Sequence, residues 1–397
     1  MSFELTKSLH PRSSNIELLR IVAMLAIVMH HYVVNSTVMS LFDGAHPTAN
    51  SLFLQWWGMW GKTAINVFVL ISGYFMCTGI LTLRRYLKML LQVGFYALVM
   101  WIILCCCGYE TWCSVTTLKR LTLYDKFANP NGGFIPAFLW MYLTIPVMNL
   151  LLKHISKTQL YLFLLLLITM FSGVGTFCQG SNVYHHLFWY MTLYLLGAAI
   201  RLHPFQWMSR NKVCLPLLGL SIVGAWISVL GIVGVAWILE RPEIANYKYH
   251  FVADSHKVLA LSVALFAFLA FKNWRIGYSK FINAVASTCF GVLLIYAASN
   301  GMRRWLWQDF VDVPSAYAFP FWTLVGYSIV VAGGVFATCS ALDWLRIRYI
   351  EKYYLDFGEK VCIGIWKRVY APTQKTRTPN PELRTQNSRN VTQTEGR

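Results

Sequence analysis

The chain has 397 residues, of which 57% are apolar, 16% aromatic and only 13% charged, with a formal net charge of +18 and a mean hydropathy of +0.50. This composition lies outside the range of globular domains and predicts an all-α integral membrane protein. The positive charge does not point to nucleic acid, because the basic residues fall in short loops and a tail and not along one amphipathic face.

Residues 1 to 14 are polar and basic, with Lys7 and Arg12, and are expected in the cytoplasm. The first span covers about 16 to 38. It lacks a small-residue cleavage site and carries Arg20, His30 and His31, so it reads as a retained span and not as a signal peptide. Nine more spans are expected at about 56–80, 87–107, 134–152, 159–178, 184–200, 213–239, 253–271, 281–300 and 317–342, which makes about ten transmembrane helices. Arg84, Arg85 and Lys88 follow the second, Lys153, His154 and Lys157 the fourth, and Lys272, Arg275 and Lys280 the eighth. These loops belong inside, which puts both termini in the cytoplasm.

The connection from 108 to 133 carries Glu110, Lys119, Arg120, Asp125 and the turn-forming Asn129-Pro130-Asn131-Gly132-Gly133. After a membrane domain of 15–345 come a basic amphipathic stretch, 346–370, and a polar tail, 371–397, whose composition predicts disorder. No internal repeat is visible, which weakens a repeat-built transporter. The ten cysteines show no paired C-x-x-C spacing and read as small core hydrophobes.

The chemistry concentrates in the first span. Arg20 and His31 are eleven positions apart, so they differ by about 20° in direction and ~16 Å in height and share one helix face. Glu17, roughly 60° from Arg20, is close enough to pair with it. A charge at the membrane edge can snorkel, but an imidazole near the middle needs a partner or a polar cavity, and such groups are functional candidates. His30, about 80° off that face, reads as a structural histidine and as the alternate base. Lys62 and Asn66 read as cavity-facing polar groups on the outer half of the second span, and Ser72, beside Gly73, as packing and cavity lining. His185, His186 and the run Asp254-Ser255-His256 are expected as solvated loop residues; no metal site is expected from their spacing. No P-loop, dinucleotide glycine pattern or nucleic-acid motif is present.

Four stretches carry a resemblance: Asn15 to His31 with its Arg-x10-His spacing, Asn66 to Phe75, Leu139 to Pro146, and Ser287 to Val292. Weaker matches lie at Tyr194 to Ala198 and Leu259 to Phe271. Together they span most of residues 13 to 345 and are similar to the membrane-bound acyltransferase 3 family, in its bacterial branch that O-acetylates surface polysaccharides. The resemblance implies a multi-pass protein of the cell inner membrane, in contact with lipid. Its expected reaction transfers an acetyl group from cytoplasmic acetyl-CoA, a co-substrate and not a tightly bound cofactor, to a hydroxyl of a surface polysaccharide or lipid-linked glycan.

In that family the histidine of Arg-x10-His is essential, which assigns His31 as the general base that takes the sugar hydroxyl's proton. Arg20, with Glu17 beside it, is the implied donor-phosphate or oxyanion contact, with Asn66 or Ser72 as further polar neighbours of the oxyanion. Arg84, Arg85 and Lys88 stand where the family often has Arg-x-x-Arg, and cations there would hold the phosphates of coenzyme A. Lys88 keeps the charge but not the bidentate geometry. Many relatives carry Phe-Gly-x-Tyr-x-x-His where this chain has Phe290-Gly291-Val292-Leu293-Leu294-Ile295-Tyr296. Tyr296 can hydrogen bond but, with a pKa near 10, is a poor base; it is expected to bear on acceptor positioning. A two-step route through an acylated residue fits the residues as well as direct transfer does. The alternative class is a membrane transporter or glycan-export component, with Lys62 and His31 as proton-relay groups.

Overall fold

The computed structural model describes residues 13–44, 46–178 and 184–375, and among these residues no strand forms. Apolar segments in hydrocarbon must satisfy their backbone groups internally, which the helix does. The long helices are α1 (Ser14–Val34), α2 (Ala49–Gly58), α3 (Gly61–Met76), α4 (Leu83–Cys106), α5 (Phe134–His154) and α6 (Lys157–Phe177). They continue with α7 (His186–Leu202), α8 (Asn211–Ile238), α9 (Val258–Asn273), α10 (Lys280–Tyr296), α11 (Phe321–Tyr349) and α12 (Glu351–Lys375). Side chains fix several starts: Thr48 and Ser51 form a capping box for α2, Ser156 and Gln159 one for α6, and Thr82 and Ser279 cap α4 and α10.

A helix lies in each of the ten expected stretches, yet they are not equivalent. Among the described residues six helices, α1, α4, α5, α6, α8 and α11, are long and apolar enough to cross a membrane. A seventh is added if α10 and Asn300–Ala316, bent by 96°, count as one span. The helices α3, α7, α9 and α10 have 16 or 17 residues, about 24–26 Å of helix against a hydrocarbon layer of ~30 Å. These shorter helices lie toward the centre: α1 packs on α3 and α10, α3 on α7 and α9, and α10 on α11. The longest, α8 and α11, bury the smallest shares of their apolar windows, 22% and 28%. Leu220, Ile227 and Val330 stand exposed on them, an apolar surface of the kind that faces lipid.

The crossing of α3 and α7 shows why small residues recur there. A Cβ on Gly73 would collide with the backbone of Tyr194, and one on Gly197 with the carbonyl of Leu70, so the two backbones meet directly. The stretches Asn66 to Phe75 and Tyr194 to Ala198 are thus two halves of one contact.

Three expectations need correction or restriction. Cys105, Cys214, Cys289 and Cys339 are buried, but Cys106, Cys107, Cys113 and Cys178 are exposed, at or beyond helix ends where no core surrounds them. The last apolar helix runs to Tyr349 and not to 342, and α12 continues to Lys375, past the expected start of the tail. Residues 1–12 and 376–397, the rest of the expected cytoplasmic segment and tail, lie outside the described residues.

Candidate active site

The helix α1 carries both ends of the candidate site. In its first turns Glu17 accepts from Arg20 at 2.9 Å, with the carboxylate side chain 8% and the guanidinium side chain 26% exposed. The Cys289 thiol of α10 donates to the Arg20 carbonyl at 3.7 Å, which ties α10 to this turn. Across from it, the charges of Arg20 and Arg85 both act on the Tyr142 hydroxyl, with Ser72 as its hydrogen-bonding neighbour. Ser72 also donates to the Phe68 carbonyl of its own helix at 3.0 Å. Glu17, Arg20, Ser72, Arg85 and Tyr142 therefore make one polar group at this end of the bundle.

The expected cluster of free cations is not what the fold leaves there. Arg84 donates to Asp356 at 2.9 Å and to Glu359, and Lys88 to Glu351 at 2.5 Å, so carboxylates of α12 neutralise both. Arg85 is left without a carboxylate partner among the described residues; it reaches only the Ile80 carbonyl, at 3.4 Å.

Eleven residues along α1, His31 meets Tyr296. Its Nδ1 lies 3.0 Å from the Tyr296 hydroxyl, and Nε2 makes no hydrogen bond among the described residues. The two rings are 5.5 Å apart, and Trp307 stands edge-on to Tyr296 at 6.1 Å. His30 Nδ1 lies 2.5 Å from the Gly58 carbonyl, a structural anchor for the neighbouring ring. His30, His31 and Lys62 line one cavity of about 320 Å³, together with Tyr96, Arg120, Lys126 and Arg303. This is the size of a small-ligand pocket.

The cavity reaches down α1 to Ile27 but its lining does not include Arg20, Arg84, Arg85 or Lys88. Arg20 is therefore corrected as an oxyanion contact for chemistry at His31: ~16 Å of helix rise separates them, beyond the reach of one side chain. Asn66 is corrected as a cavity or oxyanion group. It is 0% exposed, its Nδ2 donates to the Ser255 carbonyl at 2.6 Å, and its Oδ1 accepts from Trp189 at 3.1 Å. Both ends of the amide are engaged, tying α3 to α7 and to the loop before α9. Ser72 does not line this cavity either. His256 is not a solvated loop residue: it is 4% exposed and stacks on Tyr184 at 4.2 Å, whose hydroxyl meets Ser255 at 3.0 Å.

Two features escaped the sequence. Arg303 belongs to the short helix Asn300–Arg304, which the 96° bend after α10 turns back onto the cavity. Asp343 and Arg346 form a buried pair at 2.7 Å, 0% and 2% exposed. Tyr96 donates to the same Asp343 oxygen at 2.7 Å and Gln92 at 3.4 Å, while Arg346 reaches on to Glu351 at 2.9 Å. Tyr96 lines the cavity, so this network joins the cavity wall to the α12 carboxylates. The Gly291 Cα lies so close to the Asp343 carboxylate that any Cβ would overlap it. The available signal was an acid three residues before an arginine at the end of an apolar run.

An all-helical bundle with lipid-facing apolar helices, and with ionisable groups gathered around an internal cavity, defines a membrane protein with a built polar site. The chain belongs to the acyltransferase 3 family: that family's model, an acyltransferase domain, matches residues 13–343. It is an acyltransferase. No curated protein and no solved structure matches the chain.

Proposed function

We propose that this protein transfers an acetyl group from acetyl-CoA to a hydroxyl of a surface or lipid-linked glycan, with His31 as general base, in the cell inner membrane. The observation that carries this reading is the His31–Tyr296 pair on the wall of the cavity. When Nδ1–H donates to the Tyr296 oxygen, the lone pair of a neutral ring stands on Nε2, free to take a proton. As the acceptor oxygen bonds to the thioester carbonyl carbon, its proton passes to Nε2. Collapse of the tetrahedral intermediate breaks the carbon–sulfur bond, and the proton leaves with the thiolate as coenzyme A.

Donor phosphates would lie at the Arg20 and Arg85 end, with the pantetheine arm running between α1, α3 and α10 toward His31. This agrees with a ten-span arrangement that has both termini cytoplasmic.

The test is mass spectrometry of glycans from cells carrying the protein, the His31→Ala variant or neither. Acetyl esters should depend on the protein and disappear in His31→Ala at unchanged protein level. Esters that persist in the variant reject His31 as the base, and a glycan profile identical in all three strains rejects the acceptor class.

A further inference from the structure

The cavity above His31 is lined by four cations, Lys62, Arg120, Lys126 and Arg303, and by no carboxylate among the described residues. Two of the four are already balanced from behind the wall. Arg120 donates to both oxygens of Glu110, at 3.1 and 3.2 Å, and Lys126 to Asp125 at 2.6 Å. The other two are not. Lys62 has neither an ion pair nor a hydrogen bond among the described residues. Arg303 has one weak contact, Nη1 to Asn300 Oδ1 at 3.5 Å, and its Nε is buried without a partner. The charges of both act on the His31 ring.

A guanidinium with a buried, unmatched N–H beside an unpaired ammonium is unfavourable unless an anion completes it. Neither cation can be a solvated loop charge, since both are half-buried. They also stand at the His31 end of α1, away from the Arg20 and Arg85 group, so one anion cannot satisfy both sets. From this we infer that the acceptor is acidic: it carries a carboxylate or phosphate held by Lys62 and Arg303, beside the hydroxyl that His31 activates. The inference rests on the acyl-transfer reading for the identity of the ligand as acceptor, but the charge preference of the cavity can be measured without any turnover.

The experiment uses the full chain in nanodiscs of zwitterionic lipid, with trigalacturonate and the neutral maltotriose as probes and acetyl-CoA as a third ligand. Trigalacturonate should bind about tenfold or more tighter than maltotriose at low ionic strength, and the gap should narrow at about 0.5 M salt. Arg303→Gln and Lys62→Gln should each remove most of that gap, and Arg303→Lys should retain part of it, with acetyl-CoA affinity unchanged throughout. Equal binding of the two trisaccharides overturns the inference. So does a loss of acetyl-CoA affinity in either glutamine variant, which would assign the cations to the donor. A preference abolished by adding phosphatidylglycerol to the nanodisc would assign them to a lipid headgroup and overturns it as well. Incubation with acetyl-CoA then separates the two claims: tight trigalacturonate binding without ester formation upholds the acidic cavity and counts against acyl transfer to such a glycan.

Discussion

At the scale of the residue, what matters at position 31 is which ring nitrogen carries the proton. The Tyr296 hydroxyl is the sole hydrogen-bond partner of the His31 ring among the described residues, and it can either donate to Nδ1 or accept from it. Only the second arrangement leaves Nε2 as a base. Removing the hydroxyl frees the ring to adopt either tautomer and to turn. Tyr296→Phe is therefore expected to lower kcat about 10- to 100-fold, within the span that general-base catalysis covers, while KM for acetyl-CoA stays unchanged because no donor contact is lost. Release of free coenzyme A thiol with time, at several donor concentrations, gives both constants. A rise in KM with kcat intact would show that Tyr296 binds substrate and does not position His31. The sequence marks the tyrosine only as a departure from relatives; its pairing with His31 depends on two residues 265 positions apart.

At the scale of the element, α4, α11 and α12 are held together by charges in a place where apolar packing is the rule. The Asp343–Arg346 pair sits where α11 meets α10 and α4, and Arg346 hands on to Glu351 and Tyr354 of α12. Leaving one buried member without the other strands a charge, which costs about 3–5 kcal/mol, whereas replacing both with apolar residues is often neutral. Asp343→Leu and Arg346→Leu should each lower the melting temperature in detergent clearly, and the double variant should lose less than the sum of the two. Additive losses would mean that the pair is not coupled. The ten apolar stretches were legible because each is a continuous run bounded by charged or turn residues. This network was not, because the expected end of the last span at 342 cut it off from its helix. Asn66 shows the same limit: its polarity in a span was legible, but its partner is the Ser255 carbonyl, 189 positions away. Arg303 lies beyond the ninth expected span, and the bend that turns it inward has no sequence signature.

At the scale of the whole molecule, the question is how many of the helices cross. Counting only the six long ones and counting all ten place both termini on one side, so the location of the termini does not separate the two arrangements. The loops between them do. With ten crossings, and the N-terminus inside, the connection after α4 is outside and the one between α9 and α10 is inside; with six, α3, α7, α9 and α10 do not cross and both assignments reverse. Short central helices of about 24–26 Å can still cross where neighbours and flanking residues thin the bilayer locally. The connection between α3 and α4 spans only residues 77 to 82, which holds the end of one and the start of the other at the same face of the bundle. Cys113 lies in the first diagnostic loop and is exposed, and Arg275 lies in the second and is also exposed. In a background with all other cysteines replaced, a membrane-impermeant maleimide should label Cys113 in intact cells, and should label an Arg275→Cys variant lacking Cys113 only after permeabilisation. The opposite pattern would reject ten crossings with the N-terminus inside: it would put the connection that carries Arg120 and Lys126, and with it that wall of the His31 cavity, on the cytoplasmic side, where donor and acceptor would have to enter from the same face.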